Sequence, residues 1–431
     1  MPPGNSGATA ARRAAIHTLE SCARGRVFDH ALDEAAKHLD ERDHRLAHEL
    51  AAGVLRRQSA LDAMLAPLVS REWNSVPQRL RAILRLGAYQ LTALDRVPAH
   101  AAVATSVSLA RESSGARAAG FVNAVLRRLA ADPQLKNPVP APPAADSHPA
   151  WLVQRWLERF GAEETRLLQE WNDQRPRLAV QPARETLEEL LPAWQRQGYQ
   201  PEWAPFNAGM YVDARRPDQL EGFDRGAFLI QDPAQSMVTR FAGLKGMMVY
   251  DACAAPGGKA LALARDGATV VAGDRSRLRV QRVRQNVLRA GQRREFPMVA
   301  DALDPPLIRV DAVLLDAPCL GTGTFARHPD ARWRVSPEAL TLLAGQQKAM
   351  LERLASLVKP GGMLVYATCS LEPEENECQV DGFLTSHPEF LREPNPEFPG
   401  ELLSPRGDLT ILPQRHRMDG AYAARLRRSV P

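Results

Sequence analysis

Two cysteines stand in short motifs where a thiol could do chemistry. Cys319 ends D-A-P-C, and Cys369 lies in A-T-C-S. Each motif follows an apolar run rich in β-forming residues, V-L-L before the first and M-L-V-Y before the second. A thiol on a loop at the end of a strand can act as a nucleophile rather than as half of a disulfide. We therefore predict that the two thiols share one cavity at the edge of a sheet.

A third loop, D-A-C-A-A-P-G-G-K, begins at Asp251 after another apolar run. Its Gly257 and Gly258 precede a helix, where glycine permits a tight turn and close approach of a ligand to the backbone. The loop matches neither G-x-x-x-x-G-K-[ST] nor G-x-G-x-x-G, so a nucleoside triphosphate and a dinucleotide are both weakly supported.

Aspartates end the strands that follow this loop. Asp274 could accept hydrogen bonds from both ribose hydroxyls of a ligand, and Asp301 could bind an adenine amino group. Asp316 precedes the first cysteine motif. Three aspartates at successive strand ends indicate an adenosine pocket without a phosphate cradle, and S-adenosylmethionine is the common ligand of that description.

The elements that must position these loops lie downstream of residue 235, where strands and helices alternate. This alternation predicts a doubly wound, mainly parallel α/β sheet. The strand candidates are Met247–Asp251, Ala268–Asp274, Pro297–Asp301, Ala312–Asp316 and Met363–Thr368, with Leu409–Leu412 and Ala421–Leu426 in the tail. Helices are predicted over Arg277–Arg289 and Pro337–Val358.

Three segments precede this domain. Residues 8–131 have apolar positions at three- and four-residue spacing and predict an all-α bundle. Residues 132–150 are a proline-rich linker, which predicts a stiff spacer. Residues 151–234 predict a small α+β domain, whose tryptophans and Phe206 either stack on bases or fill the core.

The composition is that of a multidomain globular protein, with 431 residues, 45% apolar and 24% charged. A net charge of +5 mildly favours a polyanionic partner. The five cysteines show no C-x-x-C pair or zinc spacing, which predicts neither a disulfide framework nor a metal site and fits the cytoplasm. We expect Cys22 and Cys378 to be small buried hydrophobes. No apolar run is long enough for a membrane span, and no signal core is visible.

The three loop motifs together resemble the RNA cytosine carbon-5 methyltransferase family, also called the NOL1/NOP2/Sun family. They are D-A-C-A-A-P-G-G-K, L-L-D-A-P-C-L-G-T-G and Y-A-T-C-S-L-E-P-E-E-N-E. The helical N-terminal third, which closes with G-F-V-N-A-V-L-R-R-L, resembles the RNA-binding factor NusB. This fusion is similar to bacterial enzymes of small-subunit (16S) ribosomal RNA. The resemblance implies a Rossmann-like class I methyltransferase domain over 235–431 and an RRM-like middle domain.

The resemblance also implies roles for single residues. Cys369 would be the nucleophile that attacks carbon 6 of cytosine, and Cys319 would help to resolve the covalent adduct. Asp316 would hold the base, and Lys259 would orient it or stabilise the thiolate. The cofactor set implied is Cys253, Ala254, Ala255, Pro256, Gly257, Gly258, Lys259, Asp274, Asp301 and Asp316.

Several points stay open at the level of sequence. A transfer RNA cytosine methyltransferase, or an RNA-binding antitermination factor with a vestigial catalytic domain, would share these features. The basic stretch 275–294 either contacts RNA phosphates or is a solvated helix face. The tail has D-G-A-Y where the family often has D-G-F-F, which puts local packing in doubt. We expect a monomer that acts on ribosomal RNA, either naked or partly assembled.

Overall fold

The computed structural model describes residues 6–132, 147–214 and 216–430. Most of the predicted linker, 132–150, therefore lies outside the described residues. The chain divides into two compact units. The first comprises residues 1–174 and 325–335, and the second comprises residues 175–324 and 336–431.

The first unit is built from helices, and its described residues contain no strand, which confirms the predicted all-α N-terminal segment. Its helices are α1 (Ser6–Ala23), α2 (Phe28–Ala36), α3 (Glu41–Arg56), α4 (Gln58–Leu65), α5 (Gln78–Ala93), α6 (Ala99–Ala130), α7 (Ala150–Phe160) and α8 (Ala162–Asp173). Apolar residues repeat along one side of each helix and meet in a core that includes the fully buried Leu50, Leu84 and Leu126. Helix α6 changes direction at Gly115, whose φ is 80°.

The first unit also takes in residues 325–335, which carry the buried Arg332. The Arg332 guanidinium contacts Asp173 Oδ1 at 2.5 Å and donates to the carbonyl oxygens of Asn172 and Ser147. Helix α8 thus packs with this segment. The unit boundary consequently falls at 174/175, whereas the sequence placed the start of the middle domain at 151.

The second unit begins with a small antiparallel sheet of order β2-β3-β1-β4. Its elements are β1 (Leu178–Pro182), α9 (Leu187–Arg196), β2 (Glu202–Trp203), β3 (Met210–Val212) and β4 (Phe228–Ile230). Thr186 and Glu189 form a reciprocal capping box that starts α9. Trp194 on α9 is buried edge-on against Phe228, with 5.3 Å between ring centroids. A four-stranded sheet with a helix on one face agrees with the predicted α+β segment.

The rest of the second unit is a mixed sheet of order β10-β12-β9-β8-β5-β6-β7, with β11 paired to β12. The elements are α10 (Pro233–Ala242), β5 (Met248–Asp251), α11 (Gly258–Arg265), β6 (Thr269–Asp274), α12 (Arg277–Ala290), β7 (Glu295–Val299), β8 (Val310–Asp316), α13 (Pro337–Ala355), β9 (Val358–Thr368), α14 (Glu377–Ser386), β10 (Phe390–Arg392), β11 (Leu409–Ile411), α15 (Pro413–His416) and β12 (Ala421–Arg428). Strands β5 to β9 are parallel, as predicted.

The order of the parallel strands reverses between β5 and β8, which is where open α/β sheets bind ligands. Strand β8 is apolar on both sides because helices cover both faces, and Val313, Leu314 and Leu315 are fully buried. Strands β8 and β9 are neighbours, and Asp316 pairs in register with Ala367. The cysteine loops therefore leave the sheet side by side.

Two expectations from the sequence need correction. Strand β7 ends at Val299, so Asp301 lies two residues beyond it rather than at its end. Pro297 sits within β7, which is tolerated because β7 is an edge strand. Cys378 is exposed on α14, so the prediction that it is buried is wrong, whereas Cys22 is buried as predicted. Among the described residues, no helix has the length and apolar character that crossing a membrane requires.

Candidate active site

The two motif cysteines lie in contact. Cys319 Sγ and Cys369 Sγ are 3.4 Å apart, within the range of a sulfur hydrogen bond. This hydrogen bond, together with burial, raises the pKa of the Cys319 thiol well above its ordinary value. Cys319 therefore keeps its proton. The contact between the two sulfur atoms agrees with the sequence prediction that the two thiols lie together.

The Cys319 loop is held by a buried carboxylate that sequence reasoning did not single out. Both Glu375 oxygens accept from the Leu320 amide, at 3.0 and 3.2 Å. Gln347 Nε2 donates to Glu375 and also to the carbonyl oxygen of Pro318. Burial raises the Glu375 pKa. Glu375 belongs to the L-E-P-E-E-N-E motif, so its position was visible in the sequence although its partner was not.

The Cys369 loop is fixed by a second set of buried polar side chains. Thr368 Oγ1 bonds to Asn376 Oδ1 at 2.5 Å, and Asn376 Nδ2 donates to the Ser370 carbonyl oxygen at 2.9 Å. Thr322 Oγ1, from the other cysteine loop, accepts from the Leu371 amide at 2.8 Å. These bonds cross-link the two loops and leave each thiol little freedom to move.

Backbone also approaches backbone closely beside Cys369. The Gly323 amide donates to the Cys369 carbonyl oxygen at 3.0 Å, and the Gly420 amide donates to Gly323 at 2.7 Å. A side chain on Gly323 would come within 2.6 Å of the Gly420 Cα atom, so this position requires glycine. In the D-G-A-Y tail, Ala421 is buried on β12 and pairs with Ile411. Although this chain has alanine where the family often has phenylalanine, the Ala421 side chain is buried and the pairing of β12 with β11 is formed.

A partly buried ion pair lies in the same part of the unit. Lys259 Nζ is 2.7 Å from Asp316 Oδ2. Burial alone would lower the Lys259 pKa, but the nearby Asp316 carboxylate outweighs it and the charge on Cys369 adds to the effect, so the pKa is raised. Lys259 therefore stays protonated, and its charge interacts with the Cys369 sulfur.

The glycine loop between β5 and α11 packs closely against neighbouring side chains. Gly257 has a φ of 102°, which side chains rarely allow. A Cβ atom on Gly258 would lie 2.9 Å from Gln231 Nε2. The loop is bound to β6, because the Ala254 amide donates to the Gly273 carbonyl oxygen at 2.9 Å. Burial raises the Cys253 pKa to about 12, so this thiol stays neutral, consistent with no chemical role.

The two aspartates predicted to bind adenosine differ in their surroundings. Asp274 is buried at the end of β6, where it accepts from the Ser276 amide and pairs with Arg279 at 3.2 Å. Asp301 is exposed and accepts from the Leu303 amide at 2.9 Å. The structure thus fixes the Asp274 carboxylate more rigidly than that of Asp301.

A fourth aspartate beneath the loop was not assigned from the sequence. Asp251 ends β5 and is fully buried, and its two oxygens lack a hydrogen bond of ordinary geometry from any described residue. Burial, followed by the charge of Asp316, raises its pKa to about 7. Lys259, the cation that acts on Asp251, is itself paired with Asp316, so the buried Asp251 carboxylate is suited to a positively charged ligand. The signal was present, since Asp251 is the first residue of the glycine-loop motif.

Comparison with known proteins assigns two parts of the chain to known families. Residues 241–427 match the family described as 16S rRNA methyltransferase RsmB/F. Residues 9–131 match the NusB family. These ranges hold the cysteine loops and helices α1 to α6, respectively.

Full-length relatives and solved structures agree with this assignment. The chain is 36% identical to ribosomal RNA small subunit methyltransferase B of Thermus thermophilus, over 97% of each chain. It is 32% identical to the Vibrio cholerae protein of the same name, over 93% of each. The crystal structure of PH0851 matches with a TM-score of 0.79 at 25% identity, covering 97% of this chain and 98% of that one. NSun6 from Pyrococcus horikoshii shares the fold, with a TM-score of 0.59 at 19% identity over 66% of this chain and 99% of that one. The chain therefore belongs to the RsmB/F family of 16S rRNA methyltransferases and uses S-adenosylmethionine as its cofactor.

Proposed function

We propose that this methyltransferase transfers a methyl group to carbon 5 of a cytosine in 16S ribosomal RNA through a covalent adduct with Cys369. The contact between the two sulfurs, beside a protonated lysine, carries the proposal. Cytosine carbon 5 is a weak nucleophile. A thiolate that adds to carbon 6 turns the ring into an enamine, in which carbon 5 is electron-rich.

Two groups close to Cys369 can interact with a thiolate there. Lys259 carries a positive charge that interacts with this sulfur, and Cys319 can donate its S–H to it. Both interactions stabilise a thiolate. In the first step the Cys369 thiolate forms the S–C6 bond while the ring accepts the electron pair.

Asp316 is assigned to hold the base. Its side chain is partly exposed beside the thiols, whereas Lys259 is more deeply buried. A carboxylate there can accept a hydrogen bond from the exocyclic amino group or share a proton with the ring nitrogen. A protonated ring accepts the thiolate more readily, so this contact lowers the barrier to addition.

Cys319 is assigned to the release step. While Cys369 is an anion, it holds the proton on Cys319. Once Cys369 is bonded to carbon 6 it is neutral, and the largest influence that raises the Cys319 pKa is gone. Cys319 can then lose its proton to solvent water, and its thiolate takes the proton from carbon 5. The electron pair of that C–H bond restores the C5–C6 double bond as the S–C6 bond breaks, which returns the Cys369 thiolate.

The residues of the glycine loop fit the cofactor. When bound, S-adenosylmethionine supplies the electrophilic methyl group. The loop from Cys253 to Lys259 is assigned to hold it, and the buried Asp251 offers a negative charge nearby. Asp274 is assigned to bind ribose hydroxyls, and Asp301 to bind the adenine edge.

Ribosomal RNA is favoured over transfer RNA by the names of the full-length relatives, which share both the helical and the catalytic parts. The proposal includes a monomer in the cytoplasm that acts on free or partly assembled RNA. The cysteines form no disulfide, which fits a reducing compartment.

The test is bisulfite sequencing of total RNA from a deletion strain that carries either the wild-type gene or C369A. One 16S cytosine should lose protection in the deletion strain and regain it only with the wild-type gene. Loss of protection in transfer RNA instead would overturn the substrate assignment.

A further inference from the structure

The second unit has another cavity, of about 470 Å³, lined by residues that take no part in the site described above. Trp203, Asn207 and Arg240 line it together with Arg265 and Glu188. We propose that this cavity binds one nucleotide of the single-stranded RNA that flanks the target cytosine, with its base on Trp203 and its phosphate beside Arg240. This inference rests on the proposed function and names where the substrate is held.

Trp203 differs from the tryptophans that fill the cores. Trp156 and Trp194 are at most 1% exposed, whereas Trp203, on the edge strand β2, is 42% exposed. The sequence alone left open whether tryptophans in this region stack on bases or fill the core. Trp203 is placed for stacking, because an exposed indole that lines a cavity offers a flat apolar face to a base.

The turn that follows β2 holds an uncommon backbone conformation beside the indole. Phe206 and Asn207 both have positive φ values, 59° and 50°, which non-glycine residues rarely adopt. The Asn207 side chain is exposed at the cavity, and no described residue bonds to its amide. Such conformations concentrate at ligand sites, and an amide can bind the edge of a base.

Arg240 supplies a positive charge at the same place. Its Nη1 atom donates to the Phe206 carbonyl oxygen at 2.9 Å, and no described carboxylate lies within ion-pair distance. Arg265 is already occupied by the Pro182 carbonyl oxygen and by Asp266. Glu188 is the opposing charge in the lining. Of the two arginines that line the cavity, Arg240 is therefore the one whose guanidinium can bind a phosphate.

Helix α10 joins this cavity to the cysteine loops. Arg240 lies near its C-terminal end, and Asp232 caps its N-terminus. Asp232 also accepts from the Asp419 amide, next to Gly420, which contacts Gly323 in the Cys319 loop. The helix spans ~12 Å between Asp232 and Arg240 at its regular rise. The cavity therefore lies at least one helix length from the cysteine loops, so it can take a nucleotide of the flanking strand but not the one bonded directly to the target cytosine.

The test measures the affinity of the full-length protein, with no cofactor added, for two fluorescent probes. One is an oligouridylate of about eight nucleotides, and the other has the same sugar-phosphate chain without bases. Wild-type protein should bind the oligouridylate about tenfold more tightly, since stacking contributes on this scale. W203A should lose that preference, and W203F should keep most of it.

F296A is the matched control, because Phe296 is also exposed on an edge strand of the second unit and does not line the cavity. It should behave as wild type. R240Q should reduce the slope of log Kd against log salt by about 0.7, the value for one phosphate on a single strand. E188Q should tighten binding of both probes. If W203A keeps the base preference, or F296A loses it equally, the inference is overturned.

Enzyme assays separate this inference from the proposed function. With a 16S transcript, W203A should raise the KM for RNA about tenfold at unchanged kcat, because the contact is remote from the reacting atoms. A W203A protein with normal S-adenosylmethionine binding and melting temperature excludes misfolding. The probe experiment needs no methyl transfer, so a failed methylation assay would count against the proposed function and leave the binding result valid. An unchanged KM for RNA in W203A would contradict the cavity assignment.

Discussion

Cys319 Sγ and Cys369 Sγ lie 3.4 Å apart on loops that follow two adjacent parallel strands. Their contact raises the pKa of the Cys319 thiol well above its usual value, so Cys319 keeps its proton. An enzyme that bonds to its substrate must also let the substrate go. The proximity of one ionisable thiol to the other provides a chemical means for both steps.

Replacement of Cys369 should stop methyl transfer. C369A removes the nucleophile, so transfer of tritiated methyl groups to a 16S transcript should fall by at least about 10⁴-fold. Calorimetry should find S-adenosylmethionine affinity within about twofold of wild type, because Cys369 lies outside the glycine loop. C22A, buried in the first unit, is the matched control and should remain active. Measurable turnover by C369A would exclude its role as nucleophile.

Replacement of Cys319 should trap the adduct. In C319A the S–C6 bond can form, but the base proposed for the carbon 5 proton is missing. A denaturing gel should then show a slowly migrating protein–RNA species that resists heat and is absent from C369A/C319A. If C319A releases methylated RNA at the wild-type rate without such a species, Cys319 takes no part in release.

Removal of the Glu375 carboxylate should loosen the Cys319 loop. E375A leaves the Leu320 amide and Gln347 Nε2 without their buried acceptor. The free energy of unfolding of the second unit, measured from its transition in urea, should fall by about 2–4 kcal/mol. E352Q, on an exposed position of α13, should change it by less than about 0.5 kcal/mol. Equal effects of the two variants would contradict this positioning role.

Cofactor affinity should depend on pH through Asp251. Its pKa of about 7 means that the carboxylate is charged above that pH and neutral below it. Since the cofactor carries a sulfonium and an ammonium group, binding should weaken as pH falls, by about three- to tenfold between about pH 8 and pH 6. D251N should flatten this profile, and D304N, on an exposed site, should keep it. A D251N protein that retains the full pH dependence would assign the titration to another group.

The buried ion pair of the first unit should matter for its stability. R332M leaves the Asp173 carboxylate, which burial already disfavours, without its cation. We expect the free energy of unfolding of this unit to fall by about 3–5 kcal/mol, and R332M/D173N to regain part of it. Chemical denaturation followed by circular dichroism measures both, with the exposed R353Q as control. An R332M protein as stable as wild type would show that the pair contributes nothing net.

Much of the catalytic domain was readable because its signals are local. Apolar runs followed by D-A-C-A-A-P-G-G-K, D-A-P-C and A-T-C-S correctly predicted where strands β5, β8 and β9 end, although β9 begins earlier than predicted. Strand β7 was misplaced, because Pro297 and its half-exposed neighbours carry little apolar pattern. Cys378 was misjudged because residue type alone does not tell which face of α14 is exposed.

The sequence by itself determined the alternation of strands and helices in the catalytic part, the helical N-terminal segment and the residues that could carry methyl-transfer chemistry. Tertiary structure alone decided that Cys319 touches Cys369, that Glu375 holds Leu320, and that residues 325–335 join the helical unit through Arg332. Those relations depend on which strands become neighbours and which polar groups lose water. Both are set by packing between residues far apart in the chain, whereas local pattern governs only the elements themselves.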